Sequence, residues 1–505
     1  MPEVLHIIRR LDDGGASRSL IAMGKYSVRR GGFRHRVVSL RPADGQAAGA
    51  ATRAAMAVVD APAVSTIQQE SESADLVQVH FSNTPELYEL LRGELPAMRV
   101  LVRLNVGGAS APQVLTDELI EFADVVAAGS PHTLALPVCQ RLSARERAQK
   151  LTLLIPAADF ERLEGLVPRR HAGFNVGYIG TVDFTKMHPE YVRMSAGVRV
   201  PGARFIVCGR GAAEASLARQ AARFGIADRL ELRGHVEDIR SVLAELDVFG
   251  YPLCEGNYST AEAVLHEAMF AGVPPVVFAH GGAQHTIEHG RTGLIVQDES
   301  GYRHAIERLY QDPAERARLG EAARAFARGH YGAARSVEQL HRIYRDLLES
   351  PKRRRRWPRE LPTAGAARFV ESLGHASGPF QLSLASQDAG EQMDAERLIA
   401  AASPVLTSLG SGGIVHYRNH YRRDPHLRLW AGLVLERMGQ HVRALAEYRS
   451  ASELGLEHPR LRWYQARAAA RVGSAPVAAE RPREVVQPAP EVIVTGQALA
   501  DPEGH

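Results

Sequence analysis

Lys186 stands six residues beyond Gly180, which closes an apolar run over residues 176–179, and just before a helix-period segment that opens near Pro189. A lysine at such a junction can neutralise a phosphate, and the first N–H groups of the following helix point at the same negative charge. Gly14 and Gly15 follow the apolar run 4–8, and Gly209 and Gly211 follow the run 205–208. Lacking side chains, these positions let a ligand approach the backbone closely. Taken singly, each glycine is equally an ordinary turn and Lys186 a surface lysine. A denser group, Ser259, Glu262, Glu267, Gly281 and Gly282, lies within residues 251–296, among two further apolar runs.

These residues need strands that end along a common edge. Over residues 1–165, short β-rich runs (4–8, 37–40, 76–79, 100–104, 125–128 and 151–155) alternate with helix-period segments. The alternation restarts at 176–179 and continues through 205–208, 230–232, 248–251 and 275–278. Such alternation predicts parallel sheets covered by helices on both faces. The fold class is therefore α/β: two doubly wound Rossmann-like domains, 1–165 and 166–350, joined by a hinge and followed by an all-α module. Ligands of such folds sit at the carboxyl ends of the strands, where the glycine loops and Lys186 fall.

The order strand, loop, helix with Glu267-Ala-Met269, Gly272, strand, Gly281-Gly282, then Gly290-Arg-Thr-Gly293 resembles the donor-binding region of the GT-B retaining glycosyltransferases, family four in particular. The resemblance extends over residues 4–345, through the GGAS loop at 14–17, ADLVQVHF at 74–81, GYIGTVDFTKMHP at 177–189 and DVFGYP at 247–252. It implies transfer of a hexose from a nucleotide-diphosphate sugar to an acceptor hydroxyl with retention, the first domain holding the acceptor and the second the donor. By the same resemblance Lys186 binds the diphosphate, Glu267 accepts hydrogen bonds from the ribose, Gly14 and Gly15 match the loop at the domain cleft, and Gly281 and Gly282 match a donor-side loop; Gly209, by its place after a strand, is a further donor-binding candidate. A carboxylate suits ribose because it can accept two O–H groups at once.

Three positions depart from the family pattern. Ser259 replaces a glutamate near the transferred hexose, Thr181 replaces an arginine that accompanies Lys186, and His285 replaces a glutamate after the Gly-Gly loop. Glu262 is the nearest substitute acid, although Ser259-Thr-Ala-Glu262 also reads as a capping box, with Glu262 reaching back to the helix start. Glu255 is a second substitute. His80 ends a first-domain strand where the family often has a histidine near the reaction centre; it is equally a satisfied structural histidine. No Asp-X-Asp pair follows a strand as a metal site requires, so metal-independent transfer without a cofactor is expected.

A net charge of +4 over 505 residues lacks the concentrated positive charge of a nucleic-acid binder. The opening residues lack a basic stretch followed by a long apolar one, and three scattered cysteines show no paired spacing; both point to a cytoplasmic, reducing setting. Residues 351–360, PKRRRRWPRE, read as a basic linker, solvated or in peripheral contact with an anionic membrane at its inner face. Residues 361–473 are helical. Gly439 recurs as Gly473 and Trp430 as Tyr464, a spacing of about 34 residues that resembles a tetratricopeptide repeat. Such a module is read as a protein-partner or packing element that leans on neighbouring helices or on the body, and residues 474–505 as a disordered tail. The setting implied is polysaccharide or glycan biosynthesis with a glycan or lipid-linked acceptor. A non-catalytic GT-B scaffold and a sugar-nucleotide epimerase are the rival readings.

Overall fold

The structure, a computed structural model, describes residues 1–360, 362–407 and 410–473; the tail expected over 474–505 lies outside the described residues. The first sheet uses β1 (Glu3–Ile8), β2 (Arg34–Ser39), β3 (Ala57–Asp60) and β4 (Leu76–Phe81). After the short β5 (Ala97–Met98) it is completed by β6 (Val100–Leu104), β7 (Val125–Ala128) and β8 (Leu151–Leu153). The strand order is β3-β2-β1-β4-β6-β7-β8, parallel throughout. Every residue of β4 and β6 is buried, as central strands covered on both faces must be.

The second sheet uses β9 (Phe174–Ile179), β10 (Ala203–Cys208), β11 (Leu230–Gly234), β12 (Val248–Tyr251), β13 (Pro275–Phe278) and β14 (Leu294–Val296). Its order, β11-β10-β9-β12-β13-β14, is again parallel. Both sheets reverse their strand order beside the first strand of the domain, which opens a crevice at the carboxyl edge. The two crevices face each other. No helix among the described residues is long and apolar enough to cross a membrane.

Two segments lie differently from the sequence expectation. The helix Ala333–Leu348, expected within the second domain, returns to the first, where Val337, Leu340, Tyr344 and Leu347 pack with Val4, Leu101 and Leu154. Its apolar face matches the open face of the first sheet, and this burial outweighs proximity in sequence.

The basic run is a docked strap rather than a solvated linker. Arg353–Arg354 form β15, antiparallel to β5. Arg355 is 8% exposed, donates to the Phe122 carbonyl at 2.9 Å and pairs with Asp124. Trp357 enters the first-domain core against Tyr88 and Phe122. The indole and the paired guanidinium carry burial that composition alone does not reveal.

Beyond the strap, the helices Gly365–Ser372, Gly378–Ala385, Ala389–Ala400, Ile414–His420, Pro425–Arg437, His441–Glu453 and Leu461–Gly473 share one core around Phe369, Tyr417, Trp430 and Tyr448. Gly432 lies so close to the Tyr448 ring that a Cβ there would come within 2.4 Å of it. Tyr464 stacks on Tyr448 at 5.5 Å. The module docks on the first domain: Tyr417 donates to Asn83 Oδ1 at 3.0 Å, His420 meets Glu89 at 2.8 Å, and Arg92 meets Glu371 at 3.2 Å.

Candidate active site

Between the domains lies a cavity of about 310 Å³. Its first-domain wall comes from the ends of β1, β4 and β6 and the start of the helix Gly15–Arg30: Arg9, Arg10, Gly14, Gly15, His80 and Arg103. Its second-domain wall comes from Thr181, Lys186 and residues 258–263. An adjoining cavity of about 190 Å³ shares Gly14, Gly15, Thr181, Lys186 and Glu262 and adds Arg18, Gly209, Arg210 and Ile239.

Lys186 and Glu262 meet at the centre. Lys186 Nζ is 2.7 Å from Glu262 Oε2, with side-chain exposures of 12% and 13%. The Tyr251 hydroxyl donates to the same oxygen at 2.9 Å. Burial alone would lower the Lys186 ammonium, but the Glu262 carboxylate outweighs it and the pKa ends above the usual lysine value. The cation therefore stays charged where the two cavities meet.

Glu262 does not form the capping box. The helix starts at Ala263 with Glu262 as its N-cap residue, and the side chain makes no cap hydrogen bond. The preceding loop is pulled across the crevice, since the Tyr258 carbonyl accepts from Gly107 N at 2.8 Å and Ser259 N donates to Asn257 Oδ1 at 2.9 Å. That extended path delays the first helical turn, and Glu262 turns toward Lys186. Ser259 lines the cavity with its Oγ buried and unpartnered.

His80 is both structural and at the cavity. Its Nε2 lies 3.1 Å from His6 Nδ1 and 3.1 Å from Gln78 Nε2, while its Nδ1 is buried without a partner among the described residues. Burial, aided by Arg103, pushes its pKa down to about 3, so the ring is neutral. The chain continues from His6 Nε2 to His35 Nδ1 at 2.9 Å, and through Ser27 Oγ to His341 at 2.6 Å. These side chains form a polar layer beneath the helix Ala333–Leu348.

The remaining expected residues divide. Gly14 is the N-cap of the Gly15–Arg30 helix, so both glycines put backbone at the cavity. Gly209 lines the adjoining cavity, yet close packing also demands a glycine there: at φ +140 a Cβ would fall 1.8 Å from the Gly180 carbonyl oxygen. Glu267 is buried on the Ala263–Ala271 helix and its carboxylate pairs with Arg162 from the interdomain segment. It lines neither cavity. Arg162 does line a further hollow with Ile239, which belongs to the adjoining cavity as well. Gly281 and Gly282 pack against the 257–260 loop rather than the cavity. Of the departures, Thr181 accepts at its carbonyl from the Tyr178 hydroxyl at 2.9 Å and carries no charge, while Arg18 and Arg210 bring positive charge to the same cavity. The His285 ring lies 6.0 Å from that of His132 across the domain boundary.

Sequence reasoning missed Arg18, Arg103 and Arg210, and it gave the helical module no part in the crevice, whereas Gly410 and Ser411 line its far end. Gln113 holds the Ser411 carbonyl at 2.5 Å. The one available signal was Arg103, a charge inside the apolar run VLVRL of β6.

Residues 173–312 match the family described as glycosyl transferases group 1. The chain is similar to the lipopolysaccharide core biosynthesis glycosyltransferase LpsE of Rhizobium meliloti, 29% identical over 33% of this chain and 48% of the relative. The chain thus spans about half that relative's length. N-acetyl-alpha-D-glucosaminyl L-malate synthase of Bacillus anthracis is 28% identical over 56% of this chain and 77% of its own length. The crystal structure of Anabaena HepE in complex with UDP and glucose superposes with a TM-score of 0.57 at 18% identity, covering 68% of this chain and all of HepE. The two-domain body therefore has the GT-B fold, and its second domain carries a glycosyl transferases group 1 region.

Proposed function

We propose that the chain is a glycosyltransferase of family four, which moves a hexose from a nucleoside-diphosphate sugar to an acceptor hydroxyl with retention and without a metal, in polysaccharide or glycan assembly. The observation that carries this reading is Lys186, charged and buried where the two cavities meet, beside the N-terminus of the Ala263–Ala271 helix and opposite the Gly14–Gly15 backbone. As the glycosidic bond breaks, negative charge grows on the departing diphosphate. A fixed ammonium and helix N–H groups stabilise that charge in place of a divalent cation. Arg18 and Arg210 reinforce the field where Thr181 supplies none.

In this reading the diphosphate takes Lys186 from Glu262, and Glu262 turns to a sugar hydroxyl. The ribose lies further along the same helix, toward Glu267. LpsE's role in lipopolysaccharide core biosynthesis supports a surface-glycan setting, and the UDP held by HepE makes UDP the first nucleotide to test. The helical module is read as a tetratricopeptide-like extension on the docking of Gly432 against Tyr448. Calorimetry with UDP, GDP, ADP and dTDP tests the site. One nucleotide binds the wild type and loses at least tenfold in affinity with Lys186→Ala; four nucleotides without measurable binding would remove the donor assignment.

A further inference from the structure

Arg103 is a cation that the fold buries without a counter-charge. It lies on β6 in register with His80 of β4, is 2% exposed, and lines the 310 Å³ cavity. Among the described residues its guanidinium makes no hydrogen bond or ion pair, and Nη1 is fully buried without a partner. Burial lowers its pKa only to about 10, so the charge persists at neutral pH.

The carboxylates that line the same cavity, Asp12 and Glu262, and Glu86 of the first domain have partners of their own among the described residues. Asp12 Oδ1 accepts from Gly14 N at 2.9 Å and from Ser17 Oγ at 3.0 Å. Glu86 takes Arg9 at 3.4 Å and His416 at 3.3 Å, and Glu262 takes Lys186. His6 and His80 are neutral and Tyr344 donates its proton to Gln78. Arg10, on the same wall, adds further positive charge. An unpaired buried charge opposes folding, so its presence beside a cavity needs a ligand to complete it. In the proposed reading the donor diphosphate is served by Lys186 and Arg210 of the second domain and by Arg18, which lines the adjoining cavity.

We propose that Arg103 anchors an oxyanion subsite on the first-domain wall, which holds a phosphate or carboxylate group of the acceptor. A planar guanidinium binds such groups in a bidentate fork. His80, whose Nδ1 also lacks a partner, stands on the adjacent strand to complete the subsite. The word acceptor rests on the proposed glycosyltransferase reading; the oxyanion subsite does not.

The test measures melting temperatures of the full chain as wild type, Arg103→Met and Arg103→Lys, with inorganic phosphate, glucose 6-phosphate, glucose and UDP as separate probes. A ligand that binds only the folded state raises the melting temperature. Ligand-free Arg103→Met is expected to melt at or above the wild type, because it loses an uncompensated charge. Phosphate and glucose 6-phosphate should stabilise wild type and Arg103→Lys but leave Arg103→Met unshifted, while UDP stabilises all three alike. Phosphate shifts equal in wild type and Arg103→Met overturn the proposal, as does a ligand-free Arg103→Met that melts several degrees lower. A UDP shift lost only in Arg103→Met would instead assign the arginine to the donor. If UDP shifts none of the proteins, the donor reading fails while the phosphate arms still decide the subsite.

Discussion

Lys186 Nζ and Glu262 Oε2 stand 2.7 Å apart at the meeting point of the two cavities, and the acid is the residue that opens the helix behind it. Removing one member of a buried pair strands the other. Lys186→Met should therefore cost about 3–5 kcal/mol of stability and, if the lysine stabilises the leaving group, about 10²-fold in turnover. Thermal melts and initial rates check the two effects, and Lys186→Met/Glu262→Gln should recover most of the stability without the rate.

Glu262→Gln alone separates competition from catalysis. The amide no longer holds the ammonium with a full charge, so nucleoside diphosphate should bind several-fold more tightly. Transfer should fall, because the sugar loses an anionic acceptor of its hydroxyl protons. Calorimetry alongside rate measurement tests both; weaker binding would show that Glu262 assists the diphosphate.

Gly209→Ala probes the loop contact that shapes the adjoining cavity, where the proposed reading puts the diphosphate. A Cβ 1.8 Å from the Gly180 carbonyl oxygen, at φ +140, cannot be accommodated without moving backbone. A loss of roughly 2–4 kcal/mol is expected. Gly15→Ala, with nothing within 4 Å of the added atom, should leave stability within about 0.5 kcal/mol while hindering ligand approach.

Stability should fall with acid before the carboxylates titrate. Burial holds His80 at about 3, His35 at about 4 and His266 at about 3. Their folded values lie below the unfolded value near 6.5, so the unfolded chain binds more protons. The stabilisation is complete above about pH 6.5 and is lost as pH falls toward 4, by about 1.4 kcal/mol per pH unit for each ring. Denaturant melts from pH 7 to 4 measure the slope, to which His6 and His341 add in the same direction, and His35→Asn should reduce it.

The helical module should be inseparable from the body. Deleting residues 361–505 exposes Asn83, Gln113 and the Glu86–Glu89 face that now meet Tyr417, Ser411, His416 and His420. A shortened chain that stays soluble, with unchanged melting temperature and activity, would contradict a structural role.

The double Rossmann body was legible because parallel strands are buried on both faces and leave continuous apolar runs. The presence of Lys186 and the Gly14–Gly15 loop at the crevice was legible because they lie in the segments between such runs and the following helices. Glu262 was legible as a candidate acid, but its place before the helix and its pairing with Lys186 were not, since the capping pattern is a local signal and the pull of Gly107 on Tyr258 is a long-range one. The 333–348 helix and Trp357 pack on the first domain through surfaces that a linear reading cannot pair. Arg103 declared itself only as a charge in an apolar strand, a signal that gains meaning once no partner is found.

The most direct measurement of the central claim is incubation of the purified full chain with UDP-, GDP-, ADP- and dTDP-linked hexoses, following release of nucleoside diphosphate. The account predicts release from one donor in the presence of chelator, reduced about 10²-fold by Lys186→Ala with the fold intact by circular dichroism. Release that is unchanged in Lys186→Ala, or absent with every donor, would contradict it.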